Sequence, residues 1–206
     1  VEYIQKHPEQ VFVFDQSYAS FSPQEVLRAR EAISLGNVIL VQSLTKSFAI
    51  PGLRLGYLVS NATTLEGIRA LSHPWSVNTL AIEAGKWLLR NQALYEGIEA
   101  QLLKSSRTLR AKLSSFPWLS IVPTDTHFFI FYFEVSGATS ADLKEWLARE
   151  RGILVRDATN MGALGSACIR VASQGEEADQ ALVDALRDWY QQQSSQQPYH
   201  SSSSPQ

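Results

Sequence analysis

The stretch Ser43-Leu44-Thr45-Lys46-Ser47-Phe48-Ala49-Ile50-Pro51-Gly52-Leu53-Arg54 sets one lysine among hydroxyls, with an arginine eight positions on. A lysine that attacks an aldehyde must spend part of its time neutral, which partial burial and neighbouring cations favour. A phosphate held nearby needs hydroxyl donors and a guanidinium fork, and Ser43, Thr45 and Arg54 are of those types. Upstream, Asp15 ends an apolar run at residues 11–14, and Tyr18 follows three positions later. Downstream, Pro74-Trp75-Ser76-Val77-Asn78 offers an aromatic and an amide, and Arg156 and Arg170 stand in Ile153-Leu154-Val155-Arg156-Asp157 and Cys168-Ile169-Arg170-Val171-Ala172.

Each of these has a plain reading as well. From spacing alone, Lys46 reads equally as a solvated residue of a surface loop. Asp15 suits a turn former. Trp75 and Asn78 suit a capped helix start beside a core aromatic, and the arginines suit exposed strand edges.

The elements that must position these groups follow from pattern. Residues 11–14 and 38–41 read as short buried strands of a parallel sheet, and residues 53–59 as a third. Ser22-Pro23-Gln24-Glu25 has the form of a capping box, so a helix is expected from there to Leu35, stopped by Gly36. Residues 43–52 read as a loop, because they are polar and contain Pro51 and Gly52. Helical spacing returns at residues 64–71, at 77–90 after Pro74, and along an amphipathic stretch at 94–116. Strands at 119–122 and 128–133 precede a helix at 141–150 that Ser140 could cap. Strands at 153–156 and 168–172 and a helix at 176–190 complete the pattern.

The fold class expected is therefore α/β: a mostly parallel sheet with helices over residues 1–93, then a smaller α+β domain over 94–190. Residues 191–206 are rich in Ser and Gln without apolar period and read as a disordered tail.

Composition narrows the function classes. A net charge of −2 with 18 Lys and Arg spread along the chain argues against a nucleic-acid or anionic-membrane partner. Cys168 is the only cysteine, which excludes an intrachain disulfide and a thiolate metal cage and suits a cytoplasmic setting. No metal site is read. No run approaches the ~20 apolar residues of a membrane span, and residues 1–8 do not resemble a signal peptide.

The lysine segment resembles the signature of the fold-type I pyridoxal-phosphate aminotransferases (class I/II), in which Ser/Thr-x-x-Lys is followed eight residues on by Arg. The resemblance covers roughly residues 1–190. It implies that Lys46 forms the Schiff base with pyridoxal 5'-phosphate and that Ser43 and Arg54 bind the cofactor phosphate, with Thr45 assisting. Asp15-Gln16-Ser17-Tyr18 is similar to the family's Asp-x-x-Tyr segment. Asp15 would then pair with the pyridinium nitrogen and Tyr18 would donate to the ring oxygen, making Lys46, Asp15 and Tyr18 the catalytic set. Arg170 takes the place of the arginine that clamps the substrate carboxylate. Arg156 matches a position that faces the substrate anion in relatives acting on phosphorylated substrates, and Asn78 would be a further substrate contact if it is not used as a helix cap.

Within the family the run through Ala49-Ile50-Pro51-Gly52-Leu53-Arg54-Leu55-Gly56-Tyr57 most resembles the threonine-phosphate decarboxylases of cobalamin synthesis. The histidinol-phosphate aminotransferases are the near alternative. Family members are nearly twice this length, so the chain is expected to be a C-terminal fragment whose intact parent is a homodimer. A non-catalytic truncated remnant is the rival of another class.

Overall fold

The computed structural model describes residues 1–161 and 165–196. In the first part of the chain α1 (Glu2–Lys6) leads into β1 (Phe12–Asp15) and α2 (Ala29–Leu35) into β2 (Val38–Ser43). The one-turn α3 (Leu44–Ser47) follows directly, then β3 (Gly56–Val59), α4 (Ala62–Leu71), α5 (Thr79–Arg90) and α6 (Ile98–Leu113). Two compact units divide after Gln101, inside α6 and later than residue 93.

The first unit is built on a three-stranded sheet in the order β1-β2-β3, with the first pair parallel and the second antiparallel. Val38 and Leu40 of β2 are buried against Ala32 of α2 and Ile4 of α1. Asn37 ties this layer together: its amide donates to the carbonyls of His7 and Gln10, each at 3.0 Å, and its own carbonyl accepts from Phe12 N–H at 2.9 Å. Asn61 and Asn78 cap α4 and α5 by accepting from the N–H groups of Thr64 and Ala81. Much apolar surface stays open here, including Val13 of β1, Leu71 at the end of α4, Trp75 between α4 and α5, and Leu80 in the first turn of α5.

Three local expectations are corrected in this unit. The helix does not start at Pro23. The Ser22 hydroxyl accepts from Gln24 N–H at 3.2 Å to close a local turn, and the N-terminus is made later, where Glu31 accepts from Arg28 N–H at 2.8 Å. Residues 43–52 are not all loop, since α3 winds one turn around the lysine. β3 begins at Gly56 rather than Leu53, because Pro51–Leu53 form a 3-10 turn and Arg54 takes a left-handed conformation (φ 51°).

The second unit comprises β4 (Leu119–Ile121), β5 (Phe128–Phe133), α7 (Ser140–Arg151), β6 (Arg156–Asp157), β7 (Cys168–Ala172) and α8 (Glu176–Gln196). Its sheet runs β4-β5-β7-β6 and is antiparallel throughout. Alternation along β5 buries Phe129, Phe131 and Phe133 with Ile169 and Val171 of β7, against Leu143, Leu147, Leu186 and Trp189 of the helices. The fold class is that expected, an α/β unit followed by an α+β unit, with two departures: β3 pairs antiparallel, and β1, expected to be buried, is exposed from Val13 to Asp15.

Here too some ends move. Thr139, not Ser140, caps α7, through reciprocal bonds with Asp142, while buried Ser140 accepts from Cys168 N–H at 2.7 Å. The strand expected at 153–156 shrinks to Arg156–Asp157, because Ile153 N–H still serves the closing turn of α7 by donating to Leu147 O at 3.0 Å. Residues 191–196, expected to be disordered, continue α8; Gln192 accepts from the Trp146 indole at 3.1 Å and gives this turn a tertiary anchor. The rest of that tail, 197–206, lies outside the described residues. Among the described residues no helix is long and apolar enough to cross a membrane.

Asp179 locks the entry to α8. It is buried, accepts from the Ser173 hydroxyl at 2.6 Å and from Gln174 N–H at 3.0 Å, and removing it strands both donors. Asp179→Ala is expected to cost about 1–3 kcal/mol. Urea unfolding followed through tryptophan fluorescence reads this loss, and an unchanged midpoint would contradict the assigned role.

Candidate active site

The carboxyl ends of β1 and β2 lie side by side, with Asp15 opposite Val41 in the parallel register and Gln16 N–H bonded to Val41 O at 2.9 Å. In open α/β sheets this is where ligand groups collect. Period-two alternation puts Asp15, Val41 and Ser43 on one face. Beyond β1 the chain turns through Ala19–Phe21, and Ser20 Oγ meets Ser47 Oγ at 3.1 Å. That contact brings the turn after Asp15 to the lysine turn. Lys46 Nζ lies 5.7 Å from the centre of the Tyr18 ring, within cation–π range.

The lysine turn is shaped by burial. Leu44 and Thr45 are buried, and Leu44 packs with Leu55 and Ala81 in a small apolar core. Leu44 N–H donates to Leu55 O at 3.2 Å, and Ile50 N–H to Thr45 O at 3.2 Å, so the segment folds back on itself. Two glycines make room for it. A Cβ on Gly85 of α5 would stand 2.5 Å from Leu55 Cδ2, and one on Gly56 would stand 2.6 Å from the backbone oxygen of Gln42. Ala49 and Arg54 both sit at positive φ, a conformation that persists only where the surroundings impose it.

Within this frame Lys46 Nζ donates to Thr45 Oγ1 at 2.9 Å, and Thr45 Oγ1 is 2.7 Å from Ser43 Oγ. One ammonium and two hydroxyls thus converge at the end of β2. Asp15 is exposed. Hydrogen bonds from the Ser17 hydroxyl and from Ser17 N–H (2.9 Å), with a smaller pull from the Lys46 charge, outweigh slight desolvation and hold its carboxyl below the usual range. Asp15, Tyr18, Ser43, Thr45 and Lys46 are therefore brought together. Arg54 lies at the far end of the same loop, its guanidinium donating to Pro51 O at 2.9 Å. The Asn78 side-chain oxygen is committed to Ala81 N–H as a helix cap. Trp75, at 97% exposure, is no core aromatic.

In the second unit Arg156 and Arg170 are direct cross-strand partners, so both guanidiniums rise from one face of the sheet. Arg156 donates to Asn160 Oδ1 at 3.1 Å, and Arg170 lies over Phe128 at 5.5 Å. Among the described residues neither is in an ion pair. Sequence reasoning missed Ser17, Ser20, Ser47 and the pair Gln16 and Gln42. Alternation counted from Asp15 and Ser43 would have placed the two glutamines together on the opposite face.

The family model described as "Aminotransferase class I and II" matches residues 1–186. The chain belongs to this family. It is 30% identical over 189 residues to histidinol-phosphate aminotransferase 2 of Archaeoglobus fulgidus, covering 91% of this chain and 53% of that relative. It is 31% identical over 177 residues to the threonine-phosphate decarboxylase of Salmonella typhimurium, covering 85% and 48%. Among solved structures, L-threonine-O-3-phosphate decarboxylase from Porphyromonas gingivalis superposes with a TM-score of 0.86 at 32% identity, over 92% of this chain and 58% of that one. The chain thus spans about half the length of the curated relatives it matches.

The family is one of pyridoxal 5'-phosphate enzymes. The groups present suit that cofactor: a primary amine, two hydroxyls beside it for a phosphate, an ionised carboxylate for a ring nitrogen and a phenol, all at the ends of two adjacent strands.

The lowered pKa of Asp15 gives a test of the geometry. A carboxyl whose folded pKa is depressed contributes stability that is present above its unfolded value of about 3.9 and lost as pH falls through the folded value. Ser17→Ala, which removes the hydroxyl, is expected to move the Asp15 midpoint upward in a carbon-detected NMR titration. An unmoved midpoint would contradict the assigned cause.

Proposed function

We propose that this chain supplies the Schiff-base lysine and the main cofactor contacts of a pyridoxal 5'-phosphate enzyme that decarboxylates a phosphorylated amino acid, in the manner of the threonine-phosphate decarboxylases. The observation that carries the reading is the convergence of Lys46, Thr45 and Ser43 beside Asp15 and Tyr18 at the ends of β1 and β2.

The bound cofactor supplies an electron sink for the pair left when a bond at the substrate α-carbon breaks. The chain's own groups do the rest. Asp15, kept anionic by Ser17, holds the proton on the ring nitrogen. Tyr18 donates its phenol to the ring oxygen. Ser43, Thr45 and Arg54 hold the cofactor phosphate, and Lys46 Nζ anchors the cofactor and then moves a proton at the α-carbon. Arg170 receives the substrate carboxylate, Arg156 the substrate phosphate, and Asn78 lies at the substrate side. Two guanidiniums rising side by side, with no carboxylate partner among the described residues, are well suited to a substrate with two anionic groups.

The likeness to the Porphyromonas decarboxylase favours decarboxylation. The comparable identity to the Archaeoglobus protein supports a second reading, transamination of histidinol phosphate. The proposal places the whole enzyme in the cytoplasm as a homodimer, within cobalamin synthesis on the first reading, and involves neither nucleic acid nor membrane.

The full chain incubated with pyridoxal 5'-phosphate is expected to gain visible absorbance that Lys46→Ala abolishes. With phosphothreonine it should release carbon dioxide, and Arg170→Leu should raise KM about ten- to a hundredfold. Amine transfer from histidinol phosphate to a keto acid, without carbon dioxide, would support the second reading. A chain that remains colourless would support a non-catalytic remnant.

A further inference from the structure

Asp15 and Ser43 stand on one face of the β1–β2 pair, and the opposite face carries a chain of amides directly beneath them. Gln42 Nε2 donates to Gln16 Oε1 at 2.6 Å, and Gln16 Nε2 donates onward to Leu27 O at 3.0 Å. Both glutamines are half-buried. Each is the immediate neighbour of a site residue: Gln16 follows Asp15, and Gln42 precedes Ser43. Gln16 is also the first residue past the parallel register, where backbone bonding to β2 ends after Gln16 N–H meets Val41 O. Beyond that point the chain departs into the turn carrying Tyr18.

From this arrangement we infer that Gln16 and Gln42 form a positioning tie, which sets the spacing between the Asp15–Tyr18 segment and the Ser43–Lys46 segment. The inference rests on the proposed cofactor site and adds residues that do not touch it. Alternation turns both side chains away from the face that bears Asp15 and Ser43, so their influence is transmitted through the backbone. The tie acts where the β1–β2 backbone pairing stops, since the last bond between these two strands is used at Gln16. Without the amide bridge, the Tyr18 turn still meets the lysine turn through the exposed Ser20 to Ser47 contact and the approach of Lys46 to the Tyr18 ring, neither of which sets the spacing of the strand ends. The onward bond to Leu27 O fixes the rotamer of Gln16, which keeps its oxygen aimed at Gln42. Because the bridge is uncharged, its strength does not depend on ionisation of either partner.

The test compares the wild-type full chain, Gln42→Leu and Gln16→Glu. The readouts are pyridoxal 5'-phosphate affinity, the visible circular dichroism of the bound cofactor, and the thermal midpoint of the cofactor-free protein. Gln42→Leu keeps the volume and removes the amide. It is expected to weaken cofactor affinity about fivefold and to reduce the dichroic band, with little change in thermal midpoint. Gln16→Glu still accepts from Gln42 but loses the donor to Leu27 O, so its loss of affinity should be smaller than that of Gln42→Leu. If Gln42→Leu does not fold, Gln42→Asn, which keeps the amide but shortens its reach, carries the same expectation.

Wild-type affinity and dichroism in Gln42→Leu would overturn the tie while leaving the cofactor site standing. An equal loss in Gln16→Glu would also overturn it, since the bond between the two side chains would then not be what matters. A wild-type chain with no visible band at all would overturn the tie together with the proposed site.

Discussion

The parallel pairing of β1 with β2 is the constraint on which the first unit depends. Parallel strands end at the same edge, so the residue that finishes β1 and the turn that follows β2 must meet. Asp15 opposite Val41 and the turn at Leu44–Ser47 are the direct result. The helix between the two strands packs Ala32 on Val38 and Leu40 and so fixes the register. Slippage by one residue would move Asp15 and Ser43 to the opposite face. The geometry of the site is thus a consequence of burial on the far side of the same sheet.

The lysine turn shows a second constraint, close packing without slack. Leu44 and Leu55 hold it from below, and Gly85 and Gly56 are small because side chains of any size there would meet Leu55 or the Gln42 carbonyl. Positive φ at Ala49 and Arg54 is the backbone cost of folding so short a loop tightly. That cost is tolerable because the apolar core and the bonds to Leu55 O and Thr45 O leave the loop few alternatives. A rigid support of this kind is what a reactive amine requires, since small displacements of a catalytic group are costly.

Much of this was legible from residue types. Ser43, Thr45, Lys46 and Arg54 stood out by chemistry and spacing, Asp15 and Tyr18 only through the family resemblance, and β5 and β7 could be read to the residue. What could not be read has physical causes. A one-turn helix such as α3 is too short to show a 3.6-residue period. Ser22-Pro23-Gln24-Glu25 had the composition of a cap, yet its serine serves a local turn, and the helix begins where Glu31 reaches Arg28 N–H. The all-apolar run of β5 hid which face is buried; only the pairing with β7 shows that Arg170 and Arg156 share the other one. Asn78, readable as cap or as contact, has its side-chain oxygen used as a cap. The glutamine pair requires two strands in register before it exists at all.

The most direct measurement is borohydride reduction of the full chain after incubation with pyridoxal 5'-phosphate, followed by peptide mapping by mass spectrometry. The account predicts a reduced pyridoxyl group on Lys46 and on no other lysine. Modification spread over surface lysines, or none on Lys46, would contradict it.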